Sequence, residues 1–358
     1  MPSLQKISEE VKAGRVREFK HLNFQDLSGF NYTELCQFSR EWNDDNILCR
    51  GIIFDKEKCI ARPFSKFFNI EEVKDDLSNK TIKFIQNKED GSLIITYYYN
   101  DKVRFATRGS FHSDQAKIAD RIWLERYANR LDNSLFLYWT LLFELVGPSN
   151  VNVSRGYKTD ELILLSATSI ETGEEAPESF IDEVAERLGC LRPKLFYANS
   201  VNDLYEKIKE NEDPNFEGVV VTFLDGLKIK IKSNLYVNLH KVLTGTFSRD
   251  TKLQLWEEMR STSKISIFDQ LKIPDEFFQE IKIEVDKIET LFSSVCQEYS
   301  AIHLEMLSDF KKEMPRKDMA LKWVNHRWML SPIFSNDLDM ERHYLRLFKK
   351  DYLDGKYD

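Results

Sequence analysis

The run Leu227-Lys228-Ile229-Lys230-Ile231-Lys232-Ser233 alternates apolar and charged residues without a break. A strand turns that alternation into two surfaces: Leu227, Ile229 and Ile231 enter a core, and the three lysines share the opposite face. Such a row of charge is either solvated or aimed at a polyanion. Val219 to Leu224 leads into it through Asp225-Gly226, a pair that tolerates the positive φ of a two-residue turn. A second hairpin, Ser92 to Tyr99 with Lys102 to Thr107, is predicted around Asn100-Asp101. From about Ile47 to Lys232, strand-like runs alternate with helical periodicity at Asp114 to Leu131, Pro177 to Leu188 and Val201 to Asn211. This part therefore reads as α+β with antiparallel pairing.

After Val242 the alternation stops. Gly245 and Ser248-Arg249-Asp250 close the β-rich part, so a boundary is expected near 243 to 250, with domains at 1–245 and 246–358. Beyond Pro274, a suitable helix start, Phe278, Ile281, Val285, Ile288, Phe292, Val295, Tyr299 and Ile302 recur at steps of three and four. Pro315 ends that helix at the latest, and the second domain is expected to be all-α. With 358 residues, 42% hydrophobic and 31% charged, the chain has material for both cores.

Five scattered cysteines without a CxxC pair argue against a disulfide framework or a zinc site and fit a reducing cytosol. No apolar stretch approaches membrane-spanning length, and Met1 to Lys20 is polar. A soluble, untargeted, monomeric protein is expected, in the host-cell cytoplasm if the source is a virus. The net charge of −8 argues against a surface that binds nucleic acid everywhere and leaves room for a local basic cleft.

Lys88 opens Lys88-Glu89-Asp90-Gly91-Ser92 between two β-rich segments, and a lysine on a tight turn suits covalent transfer of a nucleotide onto an amine. A free lysine has a pKa of about 10.4, and bringing it to about 7.5 takes roughly 4 kcal/mol. Desolvation and neighbouring cations supply this if Lys88 faces a pocket lined by basic groups, which the lysine row offers. Glu144 interrupts the apolar run Leu141-Leu142-Phe143-Glu144-Leu145-Val146. A buried carboxylate needs a partner, and a structural ion pair, a ribose hydroxyl and a hydrated divalent metal all remain open. Glu217 precedes Gly218-Val219-Val220-Val221 and is expected near Lys230 and Lys232. Arg50 opens an apolar strand in Cys49-Arg50-Gly51-Ile52-Ile53-Phe54.

In order, these pieces resemble the covalent nucleotidyltransferase superfamily of polynucleotide ligases and capping enzymes, and most closely the bacteriophage RNA ligase 1 family. The nucleophile motif is similar to Lys88-Glu89-Asp90-Gly91-Ser92-Leu93. Upstream blocks resemble Cys49-Arg50-Gly51-Ile52, Arg62-Pro63 and Lys66-Phe67-Phe68-Asn69. Later ones resemble Arg108-Gly109-Ser110 with Ser113-Asp114-Gln115-Ala116, Phe143-Glu144-Leu145-Val146, Glu217-Gly218-Val219 and Lys230-Ile231-Lys232-Ser233. A lysine commonly stands where Arg108 does, so the charge is kept and the geometry is altered.

The resemblance implies a two-layer antiparallel adenylyltransferase domain with flanking helices. Lys88 would attack the α-phosphorus of ATP to form lysyl-AMP, with Lys230 and Lys232 clamping the α-phosphate. Glu217, Glu144 and Asp90 would hold the hydration shell of Mg²⁺ or Mn²⁺. Glu89 and Gly91 would join them around the nucleotide. Arg50 and Lys66 would orient the β- and γ-phosphates, and Arg108 would serve the ribose or an incoming 5′-phosphate. AMP would then pass to an RNA 5′-phosphate, and a 3′-hydroxyl would displace it to seal the strand, in RNA or tRNA repair.

In that family a helical appendage helps choose RNA ends, including broken tRNA anticodon loops. The stretch Lys311 to Trp328, within a run that leans basic from Asp309 to Arg327 and includes Trp323, is the candidate for RNA contact here, against a packed bundle with a basic surface. Alternatives are a DNA ligase or capping guanylyltransferase, which usually carry an OB-fold not recognisable between Thr251 and Asp358, or an RNA-binding relative without catalysis.

Overall fold

The structure, a computed structural model of the chain, describes residues 3–77, 79–150, 152–154, 156–198, 200–245, 247–260, 278–335, 337 and 339–357. It divides into two compact units, Met1–Val237 and Asn238–Asp358. The sequence placed the division at 245. The expected helix start at Pro274 lies outside the described residues.

In the first unit the described residues form three sheets. One holds β1 (Val16–Lys20), β2 (Leu27–Tyr32), β3 (Arg50–Asp55) and β4 (Lys58–Ala61) in that order. The rest of the strands are β5 (Phe68–Asn69), β6 (Ile82–Lys88), β7 (Ser92–Tyr99), β8 (Lys102–Ala106), β9 (Trp139–Val146), β10 (Glu161–Ser169), β11 (Leu195–Phe196), β12 (Gly218–Phe223) and β13 (Lys228–Lys232). They build a sheet of order β10-β9-β7-β8 and another of order β11-β6-β12-β13-β5, in which only the β13–β5 pairing is parallel.

The layers follow from which face each strand buries. Leu27, Ile53 and Ala61 of the first sheet meet Leu93, Ile95, Tyr97 and Leu142 of the second. Behind the first sheet, Ile7 of the helix Leu4–Lys12 packs with Phe30, Ile52 and Phe54. Behind the second, the helices Asp114–Ile122 and Glu178–Leu188 cover Ile94, Phe143 and Leu162. Each fully buried side chain of this kind contributes about 1.5–3 kcal/mol. In the third sheet Ile85, Val219, Val221, Ile229 and Ile231 pack against Leu204 and Ile208 of the helix Val201–Lys209, which leaves the lysines of β13 on the other face, as the alternation predicts.

Both hairpins form. Asn100 and Asp101 take φ of 51° and 54°, the two left-handed residues of a tight two-residue turn. The second turn differs from expectation. Gly226 N–H donates to Phe223 O and Phe223 N–H to Leu227 O, so Leu224 joins Asp225 and Gly226 in a three-residue loop with Gly226 at φ 87°. The Asp225 carboxylate accepts from Leu227 N–H and holds the loop in this form. The helix expected over Asp114 to Leu131 is α only to Ile122 and then widens into a π turn, Trp123–Tyr127, which buries the Trp123 and Tyr127 rings.

The helix Asn234–Thr244 runs across the division between units. In the second unit the described helices are Arg249–Arg260, Phe278–Lys311, Arg316–Lys322, Arg327–Ser335 and Met340–Leu353. The expected stripe is buried at Ile281, Val285, Ile288, Phe292, Val295 and Tyr299, and Trp256, Phe292 and Phe348 meet edge-on at its centre. Among the described residues no helix is long and apolar enough to cross a membrane.

Candidate active site

Strand β12 lies between β6 and β13, and Gly218 stands opposite both Lys88 and Lys232. Two residues on, Val220 stands opposite Gln86 and Lys230. Directly opposed residues share a face, so this register alone brings Lys88, Lys230 and Lys232 onto one surface. Gly218 has φ 150°, and a Cβ there would lie 2.0 Å from Ile231 O, so no other residue fits between the two lysine-bearing strands.

Glu217 is 3% exposed and links the two outer strands of this trio. Its Oε2 accepts from Lys88 Nζ at 2.8 Å, and its Oε1 pairs with Lys232 Nζ at 2.8 Å. Here the molecule departs from the sequence expectation of a lowered pKa at Lys88. Burial does push the ammonium down, but the charges of Glu217 and Glu144, the hydrogen bond to Glu217 and the charge of Asp90 outweigh it, and the net direction is upward. The pocket wall is as acidic as it is basic at that atom. Lys230 is the group that moves down, to about 7, through burial and then the charges of Lys66, Lys232, Lys88 and Arg50. Among the described residues no carboxylate pairs with it.

After Lys88 the segment Glu89-Asp90-Gly91 carries the chain from the third sheet into β7 of the second. It passes so close to β9 that a Cβ on Gly91 would lie 2.1 Å from Leu145 O. Asp90 is 7% exposed and fully engaged. Its Oδ1 accepts from Tyr236 OH at 2.8 Å and Asn152 Nδ2 at 3.1 Å, and its Oδ2 from the backbone N–H groups of Val153 at 2.8 Å and Ser154 at 2.7 Å. Four donors thus hold the carboxylate in place. These bonds anchor the 152–154 loop and the helix carrying Tyr236 to the segment that follows Lys88. Glu89 accepts from Tyr157 OH at 2.6 Å, and burial holds its carboxyl above the usual range.

Glu144 on β9 stands opposite Leu93 of β7 and Ile163 of β10, at the end of an apolar row. It is 9% exposed and has neither a hydrogen-bond nor an ion-pair partner among the described residues. Burial pushes its carboxyl up to about 7, against the pull of Lys88 and Arg50. Of the three alternatives read from the sequence, a close structural ion pair is the one these distances do not provide. No set of three His, Cys, Asp or Glu side chains among the described residues converges into a metal cage.

The remaining cations are held by aromatic faces. The Arg50 guanidinium lies 4.9 Å and 5.0 Å from the ring centroids of Phe64 and Phe67, its Nε has no hydrogen-bond partner among the described residues, and burial lowers its pKa to about 10. Lys66 Nζ sits 4.6 Å from Phe68, 5.3 Å from Trp42 and 5.9 Å from Tyr32. Arg108 Nη1 donates to Tyr32 OH at 2.7 Å.

Sequence reading missed Tyr32, Trp42, Phe64, Tyr157 and Tyr236. Only Tyr236, four residues beyond Lys232 at the start of a helix, offered a local signal. In the second unit, Trp323 donates to Asp309 at 3.0 Å and the Trp328 ring packs edge-on against Tyr299 and Tyr344. Both rings are half-buried and anchored by these contacts, while Lys311, Lys312, Arg316 and Lys317 are exposed.

Comparison with known proteins gives the same direction. The chain is 27% identical over 251 residues to a proposed bifunctional polynucleotide kinase/RNA ligase of Autographa californica nuclear polyhedrosis virus, covering 63% of this chain and 35% of that protein. It thus spans about a third of the relative's length. Among solved structures, an archaeal ATP-dependent RNA ligase aligns with a TM-score of 0.52 at 13% identity, over 81% of this chain and 79% of that one, which shows a shared fold. A Naegleria gruberi RNA ligase variant with ATP and Mn aligns over 46% of this chain and 52% of that one, at 18% identity and a TM-score of 0.34. A family model described as RNA ligase, of the phage T4 RNA ligase 1 type, matches residues 48–236, which hold Arg50, Lys66, Lys88, Arg108, Glu144, Glu217, Lys230 and Lys232, and the chain belongs to that RNA ligase family.

Proposed function

We propose that the chain is an ATP-dependent RNA ligase that works through lysyl-AMP and adenylylated RNA. The observation that carries this reading is the shared carboxylate: Glu217 holds Lys88 and Lys232 on its two oxygens, 2.8 Å each, across the narrow Gly218. In the first step the free amine of Lys88 attacks the α-phosphorus of ATP. The N–P bond forms, the bond from phosphorus to the bridging oxygen of the β-phosphate breaks, and pyrophosphate leaves. The Lys88 ammonium must first lose its proton, and Glu217 Oε2, which holds it at 2.8 Å and raises its pKa, opposes that loss.

Lys230 and Lys232 neutralise the charge that develops on the α-phosphate oxygens. Arg50 and Lys66, unpaired with carboxylates among the described residues, are available to the β- and γ-phosphates, and Arg108 to the ribose or the RNA 5′-phosphate. Glu144, buried with no partner of its own, and Glu217 suit a hydrated Mg²⁺ or Mn²⁺, since Mg²⁺ keeps several waters and takes one or two carboxylates alongside substrate phosphates. Bound there, the ion supplies charge neutralisation at the phosphates and favours the neutral amine. Glu217 must release the Lys88 ammonium before attack, which makes that ion pair a gate on the first step.

The substrate is RNA with 5′-phosphate and 3′-hydroxyl ends, nicked tRNA being a candidate, and the second unit is the candidate for end choice. The test is conversion of a 5′-labelled RNA to a phosphatase-resistant product. Joining with ATP and Mg²⁺, but not with GTP or after Lys88→Ala, is expected. Joining of DNA in preference to RNA, or labelling by GTP, would overturn the reading.

A further inference from the structure

We infer that Trp42 is a positioning residue for Lys66, closing an aromatic cage that takes the place of a direct ion pair at a triphosphate-binding lysine. The inference rests on the ligase reading and deepens it.

Burial first, and then the charges of Arg50 and Arg108, lower the pKa of Lys66, while the Glu72 carboxylate acts the other way from beyond ion-pair distance. Proteins usually settle such a group with carboxylates, yet no ion pair to any of the three cations occurs among the described residues. Lys66 Nζ instead has one long contact to Phe67 O, at 3.5 Å, and three rings. Two of those rings belong to strands: Tyr32 ends β2 and Phe68 begins β5. Trp42 lies in the loop between the helix Glu34–Ser39 and the single turn Asn46–Leu48. It meets Tyr32 edge-on at 5.1 Å and Phe68 edge-on at 5.5 Å, so its ring bridges the two fixed walls and faces the ammonium itself.

The choice of rings over carboxylates has a functional consequence. A carboxylate on Lys66 would have to be displaced by phosphate and would repel it, as the quadrupole of a ring face does not to that extent. The cage fixes the amine's direction and leaves its full charge for the anion. Tyr32 couples the device to Arg108 through its hydroxyl, so two phosphate-seeking cations share one aromatic wall.

The experiment is steady-state self-adenylylation against ATP concentration for the full chain. Trp42→Ala is expected to raise the apparent KM for ATP about five- to tenfold with kcat changed less than about twofold, the size of one partly desolvated cation–π contact. Trp42→Phe, which keeps a π face, should restore most of the loss. Trp42→Leu, which keeps bulk and loses the face, should not. In a Lys66→Ala background, Trp42→Ala should add no further loss. A Leu variant equal to the Phe variant, a wild-type KM for Trp42→Ala, or an equal loss in both backgrounds would each overturn the inference. Thermal midpoints of the variants separate unfolding from loss of position. Failure of the wild-type chain to adenylylate at all would instead strike the ligase reading.

Discussion

Residue identity sets the charge states at the centre of the molecule, and Glu217 is the residue on which most of them turn. Its carboxylate raises the Lys88 pKa, so the favourable pairing is fully present below the ordinary lysine pKa and is lost only as pH climbs through the raised one. At neutral pH, Glu217→Ala should therefore lower stability and slow lysyl-AMP formation by orders of magnitude, and single-turnover labelling at wild-type rates would refute the assignment. His21 obeys the opposite sign. It is 7% exposed, its Nδ1 accepts from Asn23 N–H at 3.1 Å, and burial, His112 and Arg104 lower its pKa to about 4. A depressed histidine contributes stability above its unfolded pKa that disappears as pH falls toward 4, on the order of 3 kcal/mol over that window. Unfolding of His21→Gln should be flatter between pH 6.5 and 4 than unfolding of the wild type, at about those limits. Parallel pH profiles would contradict this.

Among the elements, the β12–β13 hairpin with β6 beside it does the positioning. The alternation at 227–232 made its two faces legible, and Asp225-Gly226 marked its turn. Register was not legible, because nothing in a lysine's own sequence says that Gly218 will stand opposite both Lys88 and Lys232. Nor was the sign at Lys88, since it depends on how near Glu217 and Glu144 come from other segments. Asp90 shows the same limit: nothing in its local sequence announces its neighbours in space, the N–H groups at 153 and 154 and the hydroxyl of Tyr236. Gly218→Ala should force β12 from β13 at the Ile231 carbonyl, costing at least about 2 kcal/mol. Urea unfolding should show that loss together with a fall in adenylylation, and an alanine variant of wild-type stability would show that the register tolerates a side chain.

Across the whole molecule, two units of different periodicity share one chain, and the family match covers only the first. The change from period two to steps of three and four placed the helical character of the second unit in view. Its chemistry stayed obscure, because charge runs mark solvated faces as often as binding faces, and the two tryptophans proposed for stacking are half-buried against Asp309, Tyr299 and Tyr344. The exposed cations are the part of that expectation most open to test. Neutralising Lys311, Lys312, Arg316 and Lys317 together should weaken sealing of RNA and flatten its salt dependence while sparing self-adenylylation, because phosphate contacts release counter-ions. Equal loss of both activities would point to a folding defect, and no loss would remove this face from RNA binding.

The most direct test of the central claim, that the Lys88 amine becomes the nucleophile toward the α-phosphorus of ATP, is peptide mass mapping after incubation with ATP and Mg²⁺. One AMP on the peptide carrying Lys88, absent from Lys88→Ala and reversed by pyrophosphate, is the expected result. An AMP adduct that persists in Lys88→Ala, or that maps to Lys230 or Lys232, would contradict it.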